Sequence, residues 1–339
     1  MPESPVLEVC CGDLASALAA VEGGAERIEL CSALSLDGLT PSIGLLHELR
    51  TRFPDLKIHV LIRPREGNFV YSEEEVSMME RDIRAAIDAG ATAIVSGALL
   101  PIGAPLPVGA PSPAGTPSPV DSPLPVDSPL PAGTPPPVGA PLPVGAPPPV
   151  GAPLPVGAPS PAGTPSPVDS PLPVDSPLPV GAVEFSSTGF SLDTPTTARL
   201  IQASGPLPFT FHRAFDLIAD KATALQQLYS LGVRRILTSG GAPTAETGIP
   251  VLQQLVQQAT QLSSSTAAQT SPLPHERGRG LLILPGGGVT SANARRILQE
   301  TGATEIHGSC SERLSNGLRQ TSTDEVRAVL KAISRSSFS

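Results

Sequence analysis

Eight times along this chain a short, mostly apolar run gives way to a segment with helical spacing. The runs cover residues 7–10, 27–31, 58–63, 93–97, 209–213, 235–239, 281–285 and 305–309. The helices that follow are expected at 14–21, 43–52, 73–89, 196–203, 222–231, 249–259, 292–300 and 324–333. Few architectures accommodate that order. A strand followed by a helix, repeated, makes a parallel sheet with helices packed on it. Eight such units predict an α/β fold of the (β/α)₈ TIM-barrel type, and an open doubly wound sheet is the alternative that periodicity leaves. Four helices run into glycine just ahead of the next strand ("VEGGAERIEL", "IDAGATAIV", "SLGVRRIL", "ETGATEIHG"). Glycine closes a helix in the left-handed conformation.

The length fits a barrel once one interruption is set aside. Residues 105–182 are thirteen uninterrupted hexapeptides of the form Pro-x-Pro-(Val/Ala)-(Gly/Asp)-(Ala/Ser/Thr), holding 28 of the 42 prolines and no lysine, arginine, histidine or aromatic residue. Residues 105–128 recur unchanged at 153–176, as tandem expansion of a short coding repeat produces. Taking these 78 residues from 339 leaves 261, near the roughly 250 of a (β/α)₈ barrel. The expected organisation is therefore a first half-barrel at 1–100 with strands one to four, a low-complexity insertion at 101–182 in the loop after strand four, and the second half-barrel at 183–339. So few large apolar groups predict a disordered insertion, biased to polyproline II by its alternating prolines. No two of them lie three residues apart, which disfavours an SH3-type ligand. A Ser/Thr/Gln-rich stretch at 263–280 reads as a second loop insertion.

The formal net charge is −9, four units of which come from aspartates in the repeat. With no long basic run, nucleic acid and anionic membrane are not expected as partners. No apolar stretch reaches the ~18 residues of a membrane span. The opening "MPESP" lacks the charged and apolar regions of a secretory signal. A cytoplasmic location is expected, with Cys10, Cys11, Cys31 and Cys310 as reduced thiols.

Within "RIELC", Arg27, Glu29 and Cys31 alternate with Ile28 and Leu30, so the three reactive residues share one strand face. Other strands repeat the pattern: Glu8 and Cys10; His59 and Arg63; Thr210 and His212 with Arg213 and Asp216 beside them; Glu305 and His307. A solitary buried charge costs several kcal/mol unless it is paired. One connected network is thus expected, with Arg27 and Glu29 paired in the lumen and Cys31 at the rim. Such a network could equally be structural. His212 and Arg213 suit an anion. "LPGGGVTSANARRIL" sets Gly286, Gly287 and Gly288 before a helix with Ser291 as its expected N-cap, in a loop that often holds phosphate in barrels. Cys10 and Cys31 would end adjacent strands ~4.8 Å apart, where two sulfurs can share a soft cation such as Cu(I) or Zn(II). An ordinary core role for both is the alternative.

These segments, "LEVC", "GGAERIELCSALSLDGLTPSIG", "IRPREGNFVYS", "FTFHRAFD", "ILTSGG", "LPGGGVT" and "EIHGS", resemble in order the CutC copper homeostasis protein family. The likeness spans nearly all the chain outside 100–182 and 263–280. It implies a (β/α)₈ barrel, a cytosolic (in animal-type members also nuclear) location, homo-oligomeric assembly and Cu(I) binding through cysteine. By position it assigns metal binding to Cys10 and Cys31. It places Glu8, Arg27, Glu29, His59, Arg63, His212, Arg213 and His307 in the family's mouth motifs. The expanded loop, Ser96 in place of a larger apolar residue, and the extra thiols Cys11 and Cys310 depart from the pattern. Two functions follow as expectations. One is a cytosolic barrel that buffers or delivers copper. The other is an enzyme on a small anionic metabolite, such as a phosphorylated one, held by His212, Arg213 and the 286–288 loop, with Glu29 as acid or base.

Overall fold

All eight apolar runs are strands, and all eight periodic segments are helices, in the computed structural model, which describes residues 4–103, 189–264, 280–315 and 319–334. The described residues belong to one compact unit. Most of both expected insertions, 104–182 and 265–279, lies outside them. The first half runs β1 (Val6–Cys11), α1 (Leu14–Glu22), β2 (Arg27–Leu30), α2 (Ile43–Arg52), β3 (Lys57–Leu61), α3 (Glu73–Asp88) and β4 (Ala93–Ser96). Then come β5 (Leu99–Pro101), β6 (Phe190–Leu192), α4 (Thr194–Ala203), β7 (Phe209–Phe211), α5 (Lys221–Ser230) and β8 (Arg235–Thr238). The chain finishes with α6 (Ile249–Ser264), β9 (Leu282–Pro285), α7 (Ala294–Thr301), β10 (Glu305–Gly308), β11 (Ser311–Arg313), β12 (Arg319–Thr321) and α8 (Thr323–Ile333).

Local chemistry sets the helix ends. Asp13, Ser42, Ser72, Asp193, Asp220 and Ser322 each accept the backbone N–H three residues on, occupying a donor that a helix start leaves free. Ser291 does not play that part for α7. Its backbone N–H and hydroxyl donate to Glu325, and the helix starts later, at Ala294. The four junction glycines, Gly24, Gly90, Gly232 and Gly302, have φ between +75° and +98°, which a side chain would resist.

Eight strands pair in parallel in the order β10-β1-β2-β3-β4-β7-β8-β9. A bridge between Gly286 and His307 joins the two ends, so the sheet closes on itself and the open alternative falls away. One strand face supplies Val9, Ile28, Leu30, Ile58, Val60 and Ile94 to the core between sheet and helices. Helix α3 meets it with Met79, Ile83 and Ala86, a stripe at helical spacing. The opposite strand face fills the lumen.

Two short antiparallel pairs escape the sequence reading. Strands β5 and β6 join Leu99 to Leu192 and Pro101 to Phe190, so the chain leaves β4 and returns to α4 through one ladder. Strands β11 and β12 pair after β10. Three residues are too few for a period-two signal to register.

A candidate metal and ligand site at the barrel mouth

The lower lumen is ionic. Glu8 is fully buried and stands opposite Arg27 on one side and His307 on the other. Its Oε2 lies 2.9 Å from Arg27 Nε and 2.7 Å from His59 Nδ1, and its Oε1 lies 3.0 Å from His307 Nδ1. Arg27 Nη2 reaches Glu305 Oε2 at 2.7 Å, and Arg235 Nε meets the same oxygen at 2.7 Å. Arg27 therefore pairs with Glu8 and Glu305, not with Glu29 as alternation alone suggested. The stagger of neighbouring strands explains this, because it sets Glu29 a level higher, opposite Cys10 and His59. Burial pushes the Glu8 carboxyl up, but His59, His307 and Arg27 together outweigh it and hold it well below the usual range. Burial works on Glu305 in the same way and is overcome by Arg235 and Arg27, which bring it to about 2. The His59 ring is lowered by burial despite Glu8.

Above this layer the thiols converge. Cys10 and Cys31 pack with Leu61 and Val95, their sulfurs 3.6 Å apart. Cys10 Sγ is 3.9 Å from Glu29 Oε1, and ligand atoms of Cys10, Glu29 and His307 all lie within 4.8 Å of one another. Two sulfurs ~2.3 Å from one ion at a tetrahedral angle would be about 3.8 Å apart, so the observed pair fits a shared soft cation. The hydrogen bond with Cys31, then burial, raise the Cys10 thiol well above its ordinary value. Burial lifts the Glu29 carboxyl to about 7 against the pull of His307. For His307, burial is outweighed by Glu29, Cys10 and Glu8, and the ring is raised well above 6.5. Cys31 is fully buried and donates to the Cys11 carbonyl at 3.4 Å. It lies inside the barrel, not at the rim where the sequence suggested it. Cys10 lines the open cavity above.

That cavity, about 710 Å³, is also lined by Glu29, His307, Arg63, His212, Arg213, Gly287 and Gly288. Glu8, Arg27 and His59 lie outside its lining. Gly286 does too, occupying the closing bridge to His307. Arg213 carries its own counter-charge: Nε meets Asp216 Oδ2 at 2.9 Å and Nη2 donates to Ser239 Oγ at 3.1 Å. Asp216 also accepts the N–H groups of Ser239 and Gly241. Arg63 differs. It is 3% exposed and donates to the carbonyls of Leu36 (2.9 Å), Gly38 (3.0 Å) and Gly67 (2.9 Å). His212, 5% exposed, accepts the Ala214 N–H at Nδ1 (3.3 Å), while its Nε2 has no partner. Burial, with Arg63 nearby, drives its pKa to about 3. Sequence reading missed Arg235, although "GVRRIL" puts it on the lumen face by alternation. It also missed Phe69, a loop residue with no periodic signal, whose ring stands 4.8 Å from Arg63 Cζ and 4.8 Å from the His212 ring.

Comparison with known proteins gives this geometry a context. A family model described as the CutC family matches residues 5–104 and 178–312. The human protein named copper homeostasis protein cutC homolog is 29% identical over 314 residues, covering 93% of this chain and 76% of its own. A CutC family protein of Glaesserella parasuis serovar 5 is 30% identical over 320 residues, covering 94% and 86%. A crystal structure of CutC from Streptococcus agalactiae superposes with TM-score 0.56 at 23% identity, covering 90% of this chain and 98% of that one, and shares its fold.

Proposed function

The chain belongs to the CutC family, and on that premise we propose that it binds Cu(I) through Cys10 and Cys31 and buffers or delivers the ion in the cytosol. The observation that carries this reading is the 3.6 Å approach of the two sulfurs, with the donor atoms of Glu29 and His307 beside Cys10. Thiolate pairs favour Cu(I) over hard cations. Binding displaces the thiol protons, and the raised Cys10 thiol keeps its own until the ion arrives. All four cysteines are free and buried, in keeping with a reducing compartment. A nuclear pool and homo-oligomeric assembly belong to the same proposal.

The test is an anaerobic Cu(I) titration against a chromogenic chelator, on wild type and on the Cys10→Ser/Cys31→Ser variant. Stoichiometric binding that disappears in the variant is the expected result, with Arg213→Ala retaining it. Equal binding in wild type and double variant, or none in either, overturns the reading.

A further inference from the structure

The copper reading leaves part of the cavity wall without a role. Arg63 is almost wholly buried, yet among the described residues no carboxylate lies within ion-pair distance of it. A buried arginine ordinarily has an anionic partner, because carbonyl dipoles alone compensate an enclosed charge poorly. Three of its five N–H groups are taken by the carbonyls of Leu36, Gly38 and Gly67; a guanidinium has two more to offer.

His212 is the second, independent observation. Because Nδ1 accepts the Ala214 N–H, the neutral ring must carry its proton on Nε2. That N–H is a buried donor with no acceptor, a state that costs about 1–3 kcal/mol unless a ligand relieves it. Phe69 stands between the two residues, 4.8 Å from each. All three line the same cavity, whose volume lies within the roughly 300–1,000 Å³ range of small-molecule sites. Arg213, the cation that the sequence singled out, is by contrast neutralised by Asp216.

We propose that the mouth cavity binds a small organic oxyanion, whose charged oxygens pair with Arg63 and accept the Nε2–H of His212 across the Phe69 ring. Carboxylates and phosphate esters share the chemistry this wall recognises. The site uses neither thiol, so it is separate from the copper reading and can be tested in metal-free protein.

The experiment is calorimetric titration of the full-length, metal-free chain with two probes, inorganic phosphate and benzoate, at millimolar concentrations. Saturable binding of at least one is expected, and which one binds tells a phosphate from a carboxylate. His212→Ala should weaken that binding at least about tenfold, and His212→Gln, which keeps an N–H donor, should restore part of it. Arg63→Gln should abolish it. If Arg63→Gln fails to fold, the His212 pair decides the matter alone. No saturable binding of either probe to wild type overturns the proposal. Binding unchanged in a folded His212→Ala variant does the same.

Discussion

His212 shows how much one hydrogen bond can settle. Its backbone neighbour Ala214 fixes the tautomer, and the fold then buries the ring where it stays neutral down to about pH 3. An unfolded chain takes up a proton at that ring below its ordinary 6.5, whereas the folded chain cannot. Stability contributed by His212 is therefore present in full above about pH 6.5 and is lost as the pH falls toward about 3. Wild type should accordingly lose more stability than His212→Asn between about pH 7 and pH 4, read from denaturant midpoints of the two proteins. Parallel slopes would mean that the ring is protonated in the folded state. None of this was visible in "FTFHRAFD", which shows two adjacent cationic residue types and no sign that one is neutral and the other already paired.

Strands, not residues, decide who pairs with whom in the lumen. Strand β1 runs between β10 and β2, and its register delivers Glu8 to Arg27 and His307 at once. Replacing that carboxylate leaves an enclosed guanidinium short of an anion, so Glu8→Gln should cost about 3–5 kcal/mol. Arg213→Ala, with its side chain 45% exposed, should cost under about 1 kcal/mol. Urea unfolding of both variants makes the comparison, and similar losses would refute a special role for the lumen network. The elements themselves were legible because hydrophobic period and glycine punctuation are local signals. The lumen face of β2 was legible as well, since alternation is local. Its partners were not: whether Arg27 meets Glu29 or Glu8 depends on the stagger between strands, which no single strand encodes. The short pairs β5–β6 and β11–β12 form through contacts between distant segments, and Phe69 reaches the cavity from an aperiodic loop. Long-range geometry is what the sequence withheld.

On the scale of the whole molecule, the barrel closes through Gly286 and His307, both far in sequence from the repeat. The family match likewise skips residues 105–177. Removing 105–182 should leave a soluble protein that melts within a few degrees of the full chain and binds Cu(I) equally well. An insoluble product, or one that loses the metal, would show that the segment is needed for the fold. The short ladder of β5 and β6 gives the reason for this expectation. It pins Pro101 beside Phe190, and Ile102 donates to the Gly189 carbonyl at 3.2 Å, so whatever length of chain intervenes, its two ends are already together. Loop-closure entropy grows only with the logarithm of length for a flexible segment. Each hexad is also a whole number of codons, so replication slippage here keeps the reading frame. Repeat number should then vary between individuals as neutral polymorphism, and the stem would hide that drift from selection.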